Sequence, residues 1–256
     1  MFITRFPINR TRRATPRLLS SPYRLHAAVA GSFPGDTKPS ATSSDGTAAR
    51  ILWRVDLELS GAAWLYIVSP TSPSLVGLDE QIGSPDGPPR WETRDYEPLL
   101  SRITAGQLWA FRLVANPTRD VRRDLTRAAS SDIIGKRVSH LTVAQQAAWL
   151  IGNSASSSDN GPDDNASRAV RHGFTVTNDD ATGQPRLIVA DRHEWQCRRA
   201  DGKTITIVTA RYDGVLRVLD ADLFRHTLTH GIGHAKAFGC GLLTIAPVAA
   251  GGETLP

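Results

Sequence analysis

The chain has only two cysteines, Cys197 and Cys240, with neither a CxxC pair nor histidines at metal-ligand spacing beside them. That arrangement speaks against a zinc site or a disulfide framework and fits a reducing cytoplasm. No apolar run approaches the roughly 20 residues needed to cross a bilayer. Arg5, Arg10, Arg12, Arg13 and Arg17 crowd the N-terminus with no apolar stretch behind them, so no secretory signal is expected. A dinucleotide fingerprint and a Walker loop are both missing. No membrane span, zinc site or nucleotide cofactor is therefore expected.

What is present suffices for a core: 256 residues, 40% hydrophobic and 21% charged, fit one large domain or two small ones. The net charge of +5 is by itself a weak pointer to polyanions. Its distribution says more. Basic residues cluster at Arg119, Arg122, Arg123 and Arg127, at Lys136 and Arg137, and at Arg198 and Arg199. Any one cluster reads as a solvated face; three in one chain put nucleic-acid binding on an equal footing.

Along the chain, Met1–Ile8 reads as a strand rich in β-branched and aromatic residues. Ser21-Pro22 opens a helix through Tyr23, Leu25, His26 and Val29, ending before Pro34. Gly35–Ala49 reads as a flexible loop. Strands are expected at Ile51–Leu59 and Ala63–Val68, a short helix near Leu75–Ile82, and a strand at Gln107–Ala115 closed by Asn116-Pro117. After a basic linker comes a helix over Thr142–Ile151, then a polar stretch, Asn153–Arg168, expected to be disordered. Strands follow at Gly173–Thr177, Arg186–Cys197 and Thr204–Arg211, a turn at Asp213-Gly214, and a strand at Val215–Leu219. Asp220 caps a helix that stops at Gly231, and Leu242–Ala246 is the last strand. The two halves share an order, which predicts an α+β protein of two tandem ferredoxin-like units. The expected boundaries are 1–117, a basic linker at 118–141, and 142–256.

The densest motif is Gly231-Ile232-Gly233-His234-Ala235-Lys236-Ala237-Phe238-Gly239-Cys240-Gly241. Glycines at this density let backbone amides approach a phosphate, and Lys236 adds charge. They would equally serve a tight helix-to-strand connection that needs positive φ. His226, His230 and His234 recur every four residues, but Gly231 and Gly233 interrupt the helix and no carboxylate completes a metal site.

The run Gly214-Val215-Leu216, Asp220, Gly231-Ile232-Gly233 through Lys236, Gly239-Cys240-Gly241-Leu242-Leu243 and Ala246-Pro247 resembles the C-terminal signature of the CasE family. Those are the CRISPR repeat endoribonucleases of type I-E (Cascade) systems. Tyr23-Arg24-Leu25-His26 is similar to the family's Tyr-x-x-His helix, and Phe111–Pro117 to its Phe-Arg-Leu-x-Ala-Asn-Pro strand. Gly135-Lys136-Arg137-Val138 and Ala147-Ala148-Trp149-Leu150 are similar to its linker and helix. The Gly35–Ala49 loop and the polar insertion are longer than the family requires.

The resemblance implies two ferredoxin-like domains akin to RNA recognition motifs. The aromatic signature by which such motifs stack single-stranded bases is absent, so base stacking on a sheet face is not indicated. It also implies cleavage of CRISPR repeat RNA at the base of its stem-loop and retention of the crRNA in Cascade. RNA carries its own nucleophile, the 2′-hydroxyl, so no metal is required, and the product would end in a 2′,3′-cyclic phosphate. By this resemblance His26 is the catalytic histidine, as general base or acid, and Tyr23 its partner. Arg198 and Arg199, with Lys203 nearby, would engage the hairpin. Lys136, Arg137, Gly231, Gly233, Lys236, Gly239 and Gly241 would meet phosphates. Two alternatives stand beside it: a non-catalytic subunit that binds an RNA hairpin, and a structural protein in which the glycines serve the fold alone.

Overall fold

A computed structural model describes residues 1–33, 50–84, 90–120, 137–152, 167–198 and 204–248, with Asp120, Arg137 and Arg198 placed by their backbone. The expected loop Gly35–Ala49, nearly all of the polar insertion, Lys136 and Arg199 lie outside the described residues.

The first unit runs β1 (Phe2–Pro7), α1 (Ala14–Leu19), α2 (Pro22–Gly31), β2 (Leu52–Leu57), β3 (Ala63–Ser69), α3 (Val76–Ile82) and β4 (Glu92–Asp95). Its sheet is ordered β2-β3-β1-β4, with every neighbouring pair antiparallel. After α4 (Glu97–Leu100), β5 (Leu108–Ala115) opens the second unit. There follow β6 (Thr118–Asp120), β7 (Arg137–Ser139), α5 (Val143–Ile151), α6 (Arg168–Arg171), β8 (Phe174–Val176), β9 (Leu187–Arg198), β10 (Thr204–Val218), α7 (Ala221–His230) and β11 (Leu243–Pro247). Its sheet is ordered β11-β5-β10-β8, with β9 also paired to β10. In both sheets the last strand lies beside the first, the arrangement of a ferredoxin-like unit made twice.

This corrects the expected division at residue 117. The strand at 107–115 does not close the first sheet but is the central strand of the second, hydrogen-bonded to β10 on one side and β11 on the other. The first sheet is closed instead by β4, whose sequence Glu-Thr-Arg-Asp is polar and mostly exposed, so no apolar alternation marks it. The expected linker is bounded by β6 and β7, which pair as a short ribbon.

A second correction concerns Asp213-Gly214. It is not a turn; β10 runs through it as one 15-residue strand. Asp213 is held by Arg112 and Arg211. A Cβ on Gly214 would come within 2.3 Å of the Arg186 carbonyl and 3.0 Å of the Phe111 ring, so the glycine serves close strand packing.

One core cluster lies under α1, α2 and α3, built on Phe6, Leu25, Val29, Leu65 and Ile67. The other fills the second unit around Phe111, Leu113, Phe174, Tyr212, Phe224 and Leu228, and it also takes in Leu52 and Val68 from the first sheet. The two units therefore share a core. Alternation along β2 explains how: Trp53 and Val55 pack under the helices, while Leu52, Arg54 and Asp56 face the second unit. Among the described residues no helix is long and apolar enough to cross a membrane.

Candidate active site and nucleic-acid interface

Ser21 caps α2, its hydroxyl accepting from the Arg24 amide, and Pro22 takes the first helical position. Pro22, Leu25 and Val29 are buried, which turns the helix so that Tyr23 lies 53% exposed and His26 half-buried. Residues three apart on a helix are neighbours, so the phenol and the imidazole share one side. Burial lowers the His26 pKa below its ordinary value of 6.5, and no charged group opposes the shift. The ring is therefore neutral near pH 7, able to take up a proton.

The glycine-rich segment comes from the second unit. Asp220 caps α7 by accepting from the Asp222 and Leu223 amides, and Gly231 ends it with φ of 74°. The chain then closes on itself: the Ile232 amide donates to the Gly241 carbonyl at 2.9 Å, and the Gly241 amide to the Val114 carbonyl at 2.7 Å. Within this loop Lys236–Phe238 forms a 3-10 turn that packs against α2 and β2. The fold thus brings the helix of Tyr23 and His26 to the turn carrying Lys236. Burial, then the nearby Arg50, lowers the Lys236 pKa.

The glycines of this loop are shaped by the protein itself. A Cβ on Gly239 would stand 2.7 Å from the Trp53 ring, and one on Gly233 would stand 3.1 Å from Trp149, both at positive φ. Gly239→Ala should therefore cost about 2 kcal/mol, combining backbone strain with overpacking. Urea denaturation measures this; unchanged stability would mean that Trp53 yields without cost.

β9 and β10 continue past the sheet as a two-stranded arm, in which Arg198 pairs with Thr204; Arg199 and Lys203 lie outside the described residues. β9 also passes against α2 and α5. Arg137 opens β7 opposite Asp120. Between the arm and β2 lies a cleft of about 970 Å³, with Pro22, Trp53, Asp56, Trp195 and Phe238 among its lining residues.

His226 and His230 stack at 3.8 Å on α7, and among the described residues no group of three or more potential ligands could hold a metal. Sequence reasoning missed a basic group beside the glycine-rich loop: Arg50, Arg168, Arg171 and His172. Its signal was present, because Arg168, Arg171 and His172 fall within one turn, but the polar residues before them masked it. Ser167 caps that turn through the Val170 amide.

Two antiparallel sheets in ferredoxin-like order, with helices and a glycine-rich turn meeting between them, define a tandem ferredoxin-like protein. A family model described as "CRISPR associated protein" matches residues 1–247, and the chain belongs to that family. It is 27% identical over 252 residues to the "CRISPR-associated endoribonuclease Cse3" of Thermus thermophilus, covering 96% of this chain and 100% of that one. It is 31% identical over 142 residues to the "CRISPR system Cascade subunit CasE" of Escherichia coli, covering 54% of this chain and 57% of the relative. A solved structure of Cse3 bound to 19 nt RNA aligns over 96% of this chain and 100% of its own, at 24% identity and a TM-score of 0.68.

Proposed function

We propose that this chain is a cytoplasmic endoribonuclease that binds the stem-loop of CRISPR repeat RNA, cleaves the precursor, and stays with the crRNA in Cascade. The observation that carries the reading is His26, neutral through burial, three residues from the exposed Tyr23 on a helix packed against the glycine-rich turn. The names of the Thermus and Escherichia relatives support the same activity and the same partner.

Cleavage uses the substrate's own 2′-hydroxyl. His26 accepts its proton as general base, for which the neutral imidazole is the competent form. The oxygen attacks the adjacent phosphorus, the bond to the 5′-oxygen breaks, and a proton returns to that leaving oxygen. A 2′,3′-cyclic phosphate results, with no metal needed to make a nucleophile. Tyr23 orients the sugar or the scissile phosphate through its hydroxyl. Arg198, Arg199, Lys136 and Arg137 hold the hairpin by its phosphates, and Gly233 lets the backbone approach them beside Lys236. Gly231, Gly239 and Gly241, expected to do the same, are buried with their amides bonded to the Thr227, Lys236 and Val114 carbonyls, so they shape the turn instead. Duplex RNA is read mainly by shape and backbone, which suits a surface of this kind.

The pH profile tests the role of His26. With its pKa lowered in the free enzyme, kcat/KM should stay level from pH 8 to about 6.5 and fall only below that, as the base becomes protonated. A rate that instead declines as pH rises through 6 to 7 would make His26 the acid. Cleavage that excess EDTA abolishes and magnesium restores would overturn the metal-free mechanism.

A further inference from the structure

We propose that Arg50, Arg168, Arg171, His172, His230 and Lys236 form a second phosphate-binding face, and that RNA held there draws protons onto His172 and His230. The proposal rests on the reading that the ligand is RNA. It adds a surface beside the glycine-rich turn made of residues other than Tyr23 and His26, and a dependence of binding on pH.

The geometry comes first. Trp149 ties the face together: the Arg168 guanidinium lies 4.4 Å over its ring, and Gly233 packs on the same indole. The Arg168 Nε is buried with no hydrogen-bond partner among the described residues. Arg171 is exposed one turn away, and no described carboxylate pairs with Arg50, Arg168, Arg171 or Lys236. The Lys236 turn also packs on α2, so one loop borders both this face and the helix of His26.

The hydrogen bonds fix how the two histidines can act. The Thr227 hydroxyl donates to the His172 carbonyl at 3.0 Å, so it must accept from His172 Nδ1–H at 3.1 Å. Thr229 likewise donates to backbone carbonyls of its own helix and accepts from His230 Nδ1, which lies 2.8 Å away. Each neutral ring therefore keeps its proton on Nδ1 and presents a bare Nε2. That nitrogen becomes a donor to a phosphate only by taking up a proton.

The surroundings oppose that proton until an anion arrives. Burial lowers the His172 pKa to about 4, with further lowering by Arg168, Lys236, Arg171 and His226. Burial also lowers the His230 pKa, helped by His226, Lys236 and Arg50 and opposed by its bond to the His226 carbonyl. The charges acting on these two rings are all positive. Like charges assembled without a counter-charge repel one another, and phosphates relieve that repulsion.

A labelled stem-loop of the repeat, without flanking single strands, reads binding apart from cleavage. Arg50→Gln/Arg171→Gln should weaken affinity at least tenfold near 0.1 M salt. It should also flatten the slope of log affinity against log salt by about 1–2, as expected when two phosphate contacts are lost. Arg50→Lys/Arg171→Lys should restore most of both, which separates charge from folding. Wild-type affinity should rise from pH 8 to pH 6, and His172→Asn, which keeps a donor for Thr227, should shrink that rise. Unchanged affinity and slope in the glutamine variant would overturn the face while leaving RNA binding intact. A pH-independent wild type would overturn the proton uptake. A wild type that does not bind the stem-loop would overturn the functional reading and this one with it.

Discussion

Replacing His26 with alanine is expected to slow cleavage by about 10²–10⁴-fold, the usual worth of a positioned proton-transfer group, and to leave stem-loop affinity nearly unchanged. The side chain is half-buried on α2, and no charged group shifts its pKa. Its loss therefore removes proton transfer without removing a phosphate contact. Single-turnover rates measure the defect directly, since they exclude product release. A companion substrate carries a single 2′-deoxy sugar just upstream of the scissile phosphate. It should bind and resist cleavage, because the nucleophile itself is gone. Tyr23→Phe should show a smaller loss, as only a positioning hydroxyl is removed. Full activity in His26→Ala would leave an RNA-binding protein whose catalyst is elsewhere. Cleavage of the deoxy substrate would exclude attack by the 2′-hydroxyl.

The elements that carry this candidate site were largely legible in the residues alone, for physical reasons that differ from element to element. The α2 start at Ser21-Pro22 and the α7 limits at Asp220 and Gly231 follow from capping chemistry, which acts locally. The α+β architecture followed from the order of those elements. Which sheet a strand joins is not local, and there the reading failed. The run at 107–115 has the buried alternation of any central strand, and nothing in it says whether its partners precede or follow it. The short polar β4 that closes the first sheet leaves no pattern to find. Asp213-Gly214 has the composition of a turn, yet the aspartate is there for Arg112 and Arg211 and the glycine for close packing. The glycine-rich segment was read two ways, and the missing Cβ positions of Gly239 and Gly233 prove to face Trp53 and Trp149. Those two rings come from β2 and α5, far away in sequence.

The same long-range character makes Asp56 a residue whose loss should damage the fold severely. Arg54 is 2% exposed. Its Nε and Nη2 donate to the Asp56 carboxylate at 2.7 and 2.8 Å. Its Nη1 donates to the carbonyls of Arg112 and Leu242, and Nη2 also to the Thr244 hydroxyl. One guanidinium on β2 thus clasps β5, β11 and the end of the glycine-rich segment, holding the unit that carries His26 against the unit that carries Lys236. Asp56→Asn keeps the shape but removes the charge and turns an N–H group toward the guanidinium. A buried ion left without its partner typically costs about 3–5 kcal/mol. For a chain of this size that lowers Tm by on the order of 10 °C. Arg112, 3.8 Å from the same carboxylate, retains Asp213 and limits the damage. Arg54→Met/Asp56→Leu removes both charges together, so it should lose less than Asp56→Asn despite the carbonyls it leaves unpaired. Thermal melts of the two variants decide the matter. A double variant less stable than Asp56→Asn would mean that the bonds from Arg54 to the Arg112 and Leu242 carbonyls, rather than the ion pair, hold the units together.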